Sequence, residues 1–134
     1  MTPYLVDSNV IIDIISEDVQ FLDWSANALT ESAQSGVLFI NPIIFAEVST
    51  GFSRREDATA ALDALEFEYA DLSWDAAFIA GKAFVRYRRE GGVRRSPLPD
   101  FYIGAHALVA GMTLLTRDGS RYRNYFPKLG ILAP

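Results

Sequence analysis

The stretch LVDSNVIIDI, residues 5–14, sets a carboxylate, Asp7, where an apolar strand-like run gives way to helical spacing. A carboxylate beside a core costs free energy unless something pairs with it. Three more acids stand in comparable places. Glu47 lies in the second turn of a helix opened by Asn41-Pro42, Asp100 in the first turn of a helix opened by Pro99, and Asp118 follows TLLTR at the end of a late strand. Singly, each has an ordinary reading: a helix cap for Asp7, a favourable place on a helix dipole for Asp100, a turn for Asp118-Gly119, an exposed helical position for Glu47. Gathered in one place, such acids raise one another's pKa, and a divalent cation is the usual resolution. The ligand set would be all oxygen, which suits Mg²⁺ or Mn²⁺ with waters kept in the coordination shell.

What would gather them is the order of the elements. Strand-like runs recur at Tyr4–Val6, Val37–Ile40, Glu68–Leu72, Thr113–Leu115 and Gly130–Leu132, with helical periodicity between them. Asn41 and Pro42 supply an N-cap and a first helical position, Ser73 a second cap, Gly91-Gly92 a stop, and Gly111 a C-terminal cap. Alternation of this kind predicts right-handed crossovers and one α/β domain over residues 1–134, its central, mostly parallel sheet flanked by helices on both faces. Strand C-termini and helix N-termini then crowd one sheet edge, where ligands of open α/β sheets bind. All four acids fall on that edge. Glu17, Asp18, Asp23 and Glu31 fall instead on solvated faces of early helices.

Bulk properties narrow the class. A chain of 134 residues, 50% hydrophobic, suffices for one sizeable core. The absence of cysteine excludes disulfides and thiolate metal sites and fits a reducing compartment. No signal peptide is apparent, and no apolar run approaches the roughly 18 residues of a membrane span. A soluble, cytoplasmic protein with no membrane partner is the expectation. The net charge of −5 hides an asymmetry: residues 1–81 carry −12 and residues 82–134 carry +7. Such a division can mark a surface that faces a polyanion, or simply a solvated basic helix face.

Four segments carry a family likeness. LVDSNVIID, NPIIFAEV, PDFYIGAHAL and LLTRDGSRYRNYFPKLGILAP, in that order and spacing, resemble a PIN domain, and more closely the VapC toxins of bacterial toxin–antitoxin pairs. The likeness spans essentially the whole chain. It implies a Mg²⁺- or Mn²⁺-dependent endoribonuclease, inhibited by a cognate VapB-like antitoxin and often a homodimer. The family's acidic site falls on Asp7, Glu47, Asp100 and Asp118, and its polar helper positions on Asn9 and Thr116; Ser8 stands where Thr is frequent. Asp7 and Asp100 are then the principal metal ligands, with Glu47 and Asp118 acting directly or through water. A metal so held lowers the pKa of a water and stabilises charge on the scissile phosphate.

An acidic site repels RNA, so cations must flank it. Residues 86–95, RYRREGGVRR, place five arginines just before Asp100, and Arg117, Arg121 and Arg123 surround Asp118. Arg94, Arg95, Arg117 and Arg121 are the candidates for phosphate contact, weighed against plain helix solvation. His106, the one histidine, sits off the face of its helix that Asp100 shares with Ile103, Gly104 and Ala107, and reads as packing or surface. Tyr122, Tyr125 and Phe126 could stack bases, but their spacing favours packing of a short helix on the sheet. Trp24, Phe52 and Phe67 read as core before they read as a groove for an antitoxin helix or a dimer face.

A phosphatase with an aspartate nucleophile fits poorly, because Asn9 stands where its second aspartate belongs and neither Lys82 nor Lys128 is placed for its lysine. A receiver domain fails on similar grounds. From a different class, the alternative is a non-catalytic RNA- or protein-binding module on the same fold.

Overall fold

The computed structural model describes residues 1–134. Five strands, β1 (Thr2–Val6), β2 (Gly36–Ile40), β3 (Glu68–Tyr69), β4 (Thr113–Leu115) and β5 (Ile131–Leu132), form one sheet in the order β3-β2-β1-β4-β5. Every neighbouring pair is parallel. Seven helices connect them: α1 (Ser8–Ile15), α2 (Leu22–Ser35), α3 (Pro42–Ser49), α4 (Arg55–Ala64), α5 (Trp74–Arg89), α6 (Pro99–Ala110) and α7 (Ser120–Tyr125). The chain steps outward from β1 to β3, then returns across the sheet to β4 and β5. With right-handed crossovers these two directions carry their helices on opposite faces.

Strand β1 is central, with Tyr4 opposite Leu38 on one side and Thr113 on the other. Its Leu5 and Val6 are wholly buried, as a strand covered on both faces requires. The apolar stripe of α1 buries Val10 and Ile11 against the same core, together with Ile40, Ile44, Leu62, Phe101, Ile103, Leu114 and Leu115.

Helix boundaries follow their signals. The Asn41 side chain accepts from Ile44 N at 2.9 Å, with Pro42 as the first residue of α3. Ser73 accepts from Ala76 N at 3.1 Å at the start of α5. Gly111 ends α6 in the left-handed region at φ 69°, a conformation that glycine adopts without a Cβ penalty.

The edge strands are shorter than their sequence runs. The run Glu68–Leu72 pairs only through Phe39↔Glu68 and Ile40↔Tyr69, with Ala70 N still donating to Ile40 O. Beyond that point β2 has turned into α3, so Asp71 and Leu72 have no neighbour to pair with. Strand β5 likewise stops where β4 stops, at Leu115↔Leu132. Helix α4 sends only Ala58 and Leu62 into the interior. No helix is long and apolar enough to cross a membrane.

Candidate active site

The strand order reverses at the gap between β1 and β4, and that switch point is where open α/β sheets form their crevices. A cleft of about 680 Å³ opens at this place, lined by Asp7, Ser8, Asn9, Glu47, Asp100 and Asp118. All four sequence-predicted acids therefore face one cavity. They arrive from the ends of β1 and β4 and from the first two turns of α3 and α6. Tyr87, Ser120, Arg121, Tyr122, Asn124 and Tyr125 complete the wall.

Asp7 is the innermost of these groups, with 3% of its surface exposed. Its backbone N–H continues the ladder to Leu115 O at 2.8 Å, which fixes the residue against the end of β4. Oδ1 accepts from Ser8 N at 2.8 Å. Oδ2 accepts from the Tyr122 hydroxyl at 2.8 Å and the Thr116 hydroxyl at 3.0 Å, with Asn9 Nδ2 at 3.5 Å. Thr116 is completely used: it gives its proton to Asp7 and accepts from Asn9 Nδ2 and from Asp118 N, each at 3.2 Å. Asn9 Oδ1 in turn accepts from Arg117 N at 3.2 Å. Asn9 and Thr116 thus stitch the start of α1 to the loop after β4.

The other acids are held more loosely. Glu47 Oε1 accepts from Ser8 Oγ at 3.0 Å, a bond that the hydroxyl of threonine would offer equally. Asp100 Oδ1 lies 3.2 Å from the Tyr122 hydroxyl, and its Oδ2 faces Arg121 Nη1 at 3.7 Å. Asp118 is exposed and accepts from Ser120 N at 3.1 Å through Oδ1.

Electrostatics divide the four. Burial pushes Asp7 above the usual carboxylate range, offset in part by the Tyr122 and Thr116 hydrogen bonds and reinforced by the charge of Asp100. Glu47 rises through burial and through its neighbours Asp7 and Asp100. Asp100 rises through burial, against the opposing pull of Arg121. Asp118 falls below its ordinary value because the Ser120 N–H stabilises its charged form. Three carboxylates that resist ionisation beside one that ionises readily make a site that gains from a cation.

The donor set fits a hard divalent ion. It offers carboxylate oxygens only, with Ser8, Asn9 and Thr116 hydroxyl and amide groups around them. No three of the acids are drawn together into a closed ligand cluster, and the tightest association is the Asp7–Tyr122–Asp100 bridge.

The basic candidates separate. Arg121 lines the cleft. Arg94 and Arg95 stand exposed on the loop between α5 and α6, outside the cleft wall, with the Arg94 carbonyl receiving Arg88 Nη1 at 2.9 Å. Arg117 points elsewhere: its Nε pairs with buried Asp13 at 2.8 Å, and its guanidinium lies 4.4 Å from the centre of the Phe21 ring. His106 is buried, and its Nδ1 meets Asn41 Nδ2 at 3.0 Å, so it packs with a specific polar partner.

Two contributors were not legible in the sequence. Tyr122 packs as its spacing predicts, yet its hydroxyl enters the site. Its position four residues after Asp118 was the one signal the sequence held. Asp13 hides within the apolar stripe of α1, flanked by Ile12 and Ile14, where a lone acid gives no sign of its partner.

Residues 4–126 match the family model described as PIN domain. No curated protein matches the chain. Among solved structures, the chain is similar to VapBC2 from Rickettsia felis bound to a DNA fragment from their promoter, at TM-score 0.76 and 22% identity, covering 99% of each chain. It is also similar to a toxin–antitoxin complex from Klebsiella pneumoniae, at TM-score 0.66 and 25% identity over 96% of this chain and 95% of that one. The PIN domain endonuclease Utp24 is more distant, at TM-score 0.55 and 13% identity over 98% and 84%.

Proposed function

The chain belongs to the PIN-domain family, and from that premise we propose that it is a metal-dependent endoribonuclease, the toxin of a toxin–antitoxin pair. The observation that carries this reading is the convergence of Asp7, Glu47, Asp100 and Asp118 on one cleft at the switch point of a parallel sheet. The similar structures include toxin–antitoxin complexes and an endonuclease, which supports a nuclease held in check by a VapB-like antitoxin. Association into a homodimer and a cytoplasmic setting belong to the same reading.

Mg²⁺ or Mn²⁺ would be held by Asp7 and Asp100, with Glu47 and Asp118 reaching it directly or through water. Such an ion supplies a water of lowered pKa and Lewis acidity at the scissile phosphate. The chain's own groups do the rest. Ser8 N, Thr116 and Tyr122 hold the Asp7 carboxylate in one orientation, so its charge needs no rearrangement when substrate arrives. Ser8 steadies Glu47 at the opposite wall. Arg121 faces the cleft with a guanidinium suited to a phosphodiester, and Arg94 and Arg95 lie further along the RNA path as a weaker, sequence-independent attraction.

Cleavage of total RNA by the purified, antitoxin-free protein tests this reading. Discrete fragments that require Mg²⁺ or Mn²⁺, and that vanish with EDTA, Asp7→Ala or Asp100→Ala, are the expected result. Binding of RNA without cleavage at any metal concentration, by folded protein, would leave a non-catalytic binding module in its place.

A further inference from the structure

Tyr122 is the largest wholly buried side chain of the protein, yet its hydroxyl serves the most polar place in it. Its ring direction is fixed. Gly104 of α6 lies so close that a Cβ there would overlap the Phe126 ring and come 3.1 Å from Tyr122 Cδ1. Tyr122 of α7 and Phe126 just past its end therefore pack onto bare helix backbone, and the hydroxyl is delivered to a fixed point. That point lies 2.8 Å from Asp7 Oδ2 and 3.2 Å from Asp100 Oδ1, so one proton is shared between two carboxylates.

The identity of the bridging group matters. A lysine or arginine there would also hold two acids together, but its charge would offset the field that attracts a cation. A phenol brings geometry without charge, because its ordinary pKa of about 10 keeps it protonated at neutral pH. The bridge also divides the oxygens unequally. On Asp7, Oδ2 is engaged by Tyr122 and Thr116, while Oδ1 has Ser8 N alone. On Asp100, Oδ1 faces Tyr122, while Oδ2 meets only Arg121 at 3.7 Å. On Asp7 both lone pairs of Oδ2 are thus engaged while Oδ1 keeps one free, whereas each Asp100 oxygen keeps a free lone pair. Mg²⁺ demands octahedral geometry with single-oxygen ligands at short distance, whereas Ca²⁺ readily takes a carboxylate through both oxygens.

Resting on the metal-dependent reading above, we infer that Tyr122 is a positioning residue that restricts Asp7 to one ligating oxygen, and so selects Mg²⁺ or Mn²⁺ over Ca²⁺. The engaged oxygen, Asp7 Oδ2, is the one that chelation by a larger ion would need.

Calorimetric titration of Mg²⁺ and of Ca²⁺ into wild type and Tyr122→Phe, both checked for folding by thermal denaturation in EDTA, tests this without reference to activity. Tyr122→Phe is expected to lose about tenfold in Mg²⁺ affinity, the usual scale for removing a hydrogen bond to a metal ligand, while Ca²⁺ affinity holds or rises. Equal weakening for both ions, or no change for either, overturns the inference and leaves the nuclease reading standing. Wild type that binds neither ion overturns both. Should Tyr122→Phe fail to fold, a crystal structure of wild type with Mn²⁺ decides. Asp7 ligating through Oδ1 with Oδ2 still on Tyr122 supports the assignment, and Asp7 chelating through both oxygens overturns it.

Discussion

Asp13 of α1 and Arg117 of the loop after β4 meet at 2.8 Å, although 104 positions separate them. Ser25 Oγ adds a second bond to the same Asp13 oxygen at 2.8 Å, so α1, α2 and the loop that carries Asp118 share one buried junction. The Asp13 side chain is 2% exposed and that of Arg117 31%. Removing the arginine leaves a buried carboxylate with no cation, whereas removing the acid leaves an arginine that can turn to water. Arg117→Met is therefore expected to cost about 2–3 kcal/mol, and Asp13→Asn about 1 kcal/mol. Urea denaturation of the two variants measures the difference; equal losses would mean that the pair is not held as described.

The Asn41 side chain performs two tasks, capping α3 through Ile44 N and joining His106 of α6. Asn41→Ala forfeits a cap and strands a buried imidazole, together about 2 kcal/mol. Burial depresses the His106 pKa, so the unfolded chain takes up its proton first. This contribution to stability is complete above the ordinary imidazole value and declines as pH falls below it. Thermal denaturation of His106→Gln should show that part of the acid sensitivity removed.

Much of this geometry is readable in sequence because it depends on local punctuation. Asp7 follows an apolar run, Asn41-Pro42 and Pro99 mark helix starts, and Gly111 marks an end; each acid's place follows from one strand–helix boundary. The Asp13–Arg117 and Asn41–His106 pairs depend on helix packing across the chain, for which local spacing holds no signal. Tyr122 shows the limit most clearly. Its spacing from Tyr125 and Phe126 predicts burial, but burial of the ring does not reveal where a hydroxyl at its tip will lie. The short β3 and β5 follow from their partners' ends, information that neither run contains by itself.

Asp100 is disfavoured as an anion by burial and by nearby acids. Its folded-state pKa lies above the unfolded value, so in metal-free protein its effect on stability worsens as pH rises from the ordinary carboxylate range through the raised value. Asp100→Asn should therefore abolish cleavage while raising the melting temperature in EDTA at neutral pH. The gain should shrink as pH falls into the carboxylate range. A variant both inactive and less stable at every pH would contradict this assignment.

Added Mg²⁺ should stabilise wild type by about 2.7 kcal/mol at one hundred times its Kd, through binding to the folded state alone. Protons compete for Asp7, Glu47 and Asp100, all raised, so the same Mg²⁺ concentration should stabilise less at pH 5 than at pH 7.5. Melting curves at the two pH values, with and without the ion, provide the comparison.

Arg121 faces the cleft and Arg117 is committed to Asp13. Arg121→Ala is expected to weaken RNA binding and lower the salt slope by about one. The double change Arg94→Glu, Arg95→Glu should weaken binding without altering where RNA is cut. Fluorescence anisotropy across a salt series, with the fragments sequenced, separates these effects; an Arg121 variant that binds like wild type would remove it from the RNA path.

Asp7 reaches its partners Thr116 and Tyr122 across 109 and 115 positions of sequence. During synthesis, therefore, a nascent chain has already exposed its first acid while the strand, hydroxyl and phenol that orient it do not yet exist. Chains fold as units while they emerge at about 5–20 residues per second, and this unit cannot close before β4 and α7 arrive. The carboxylate at the centre of the cleft therefore stays unoriented until Thr116 and Tyr122 have both been made.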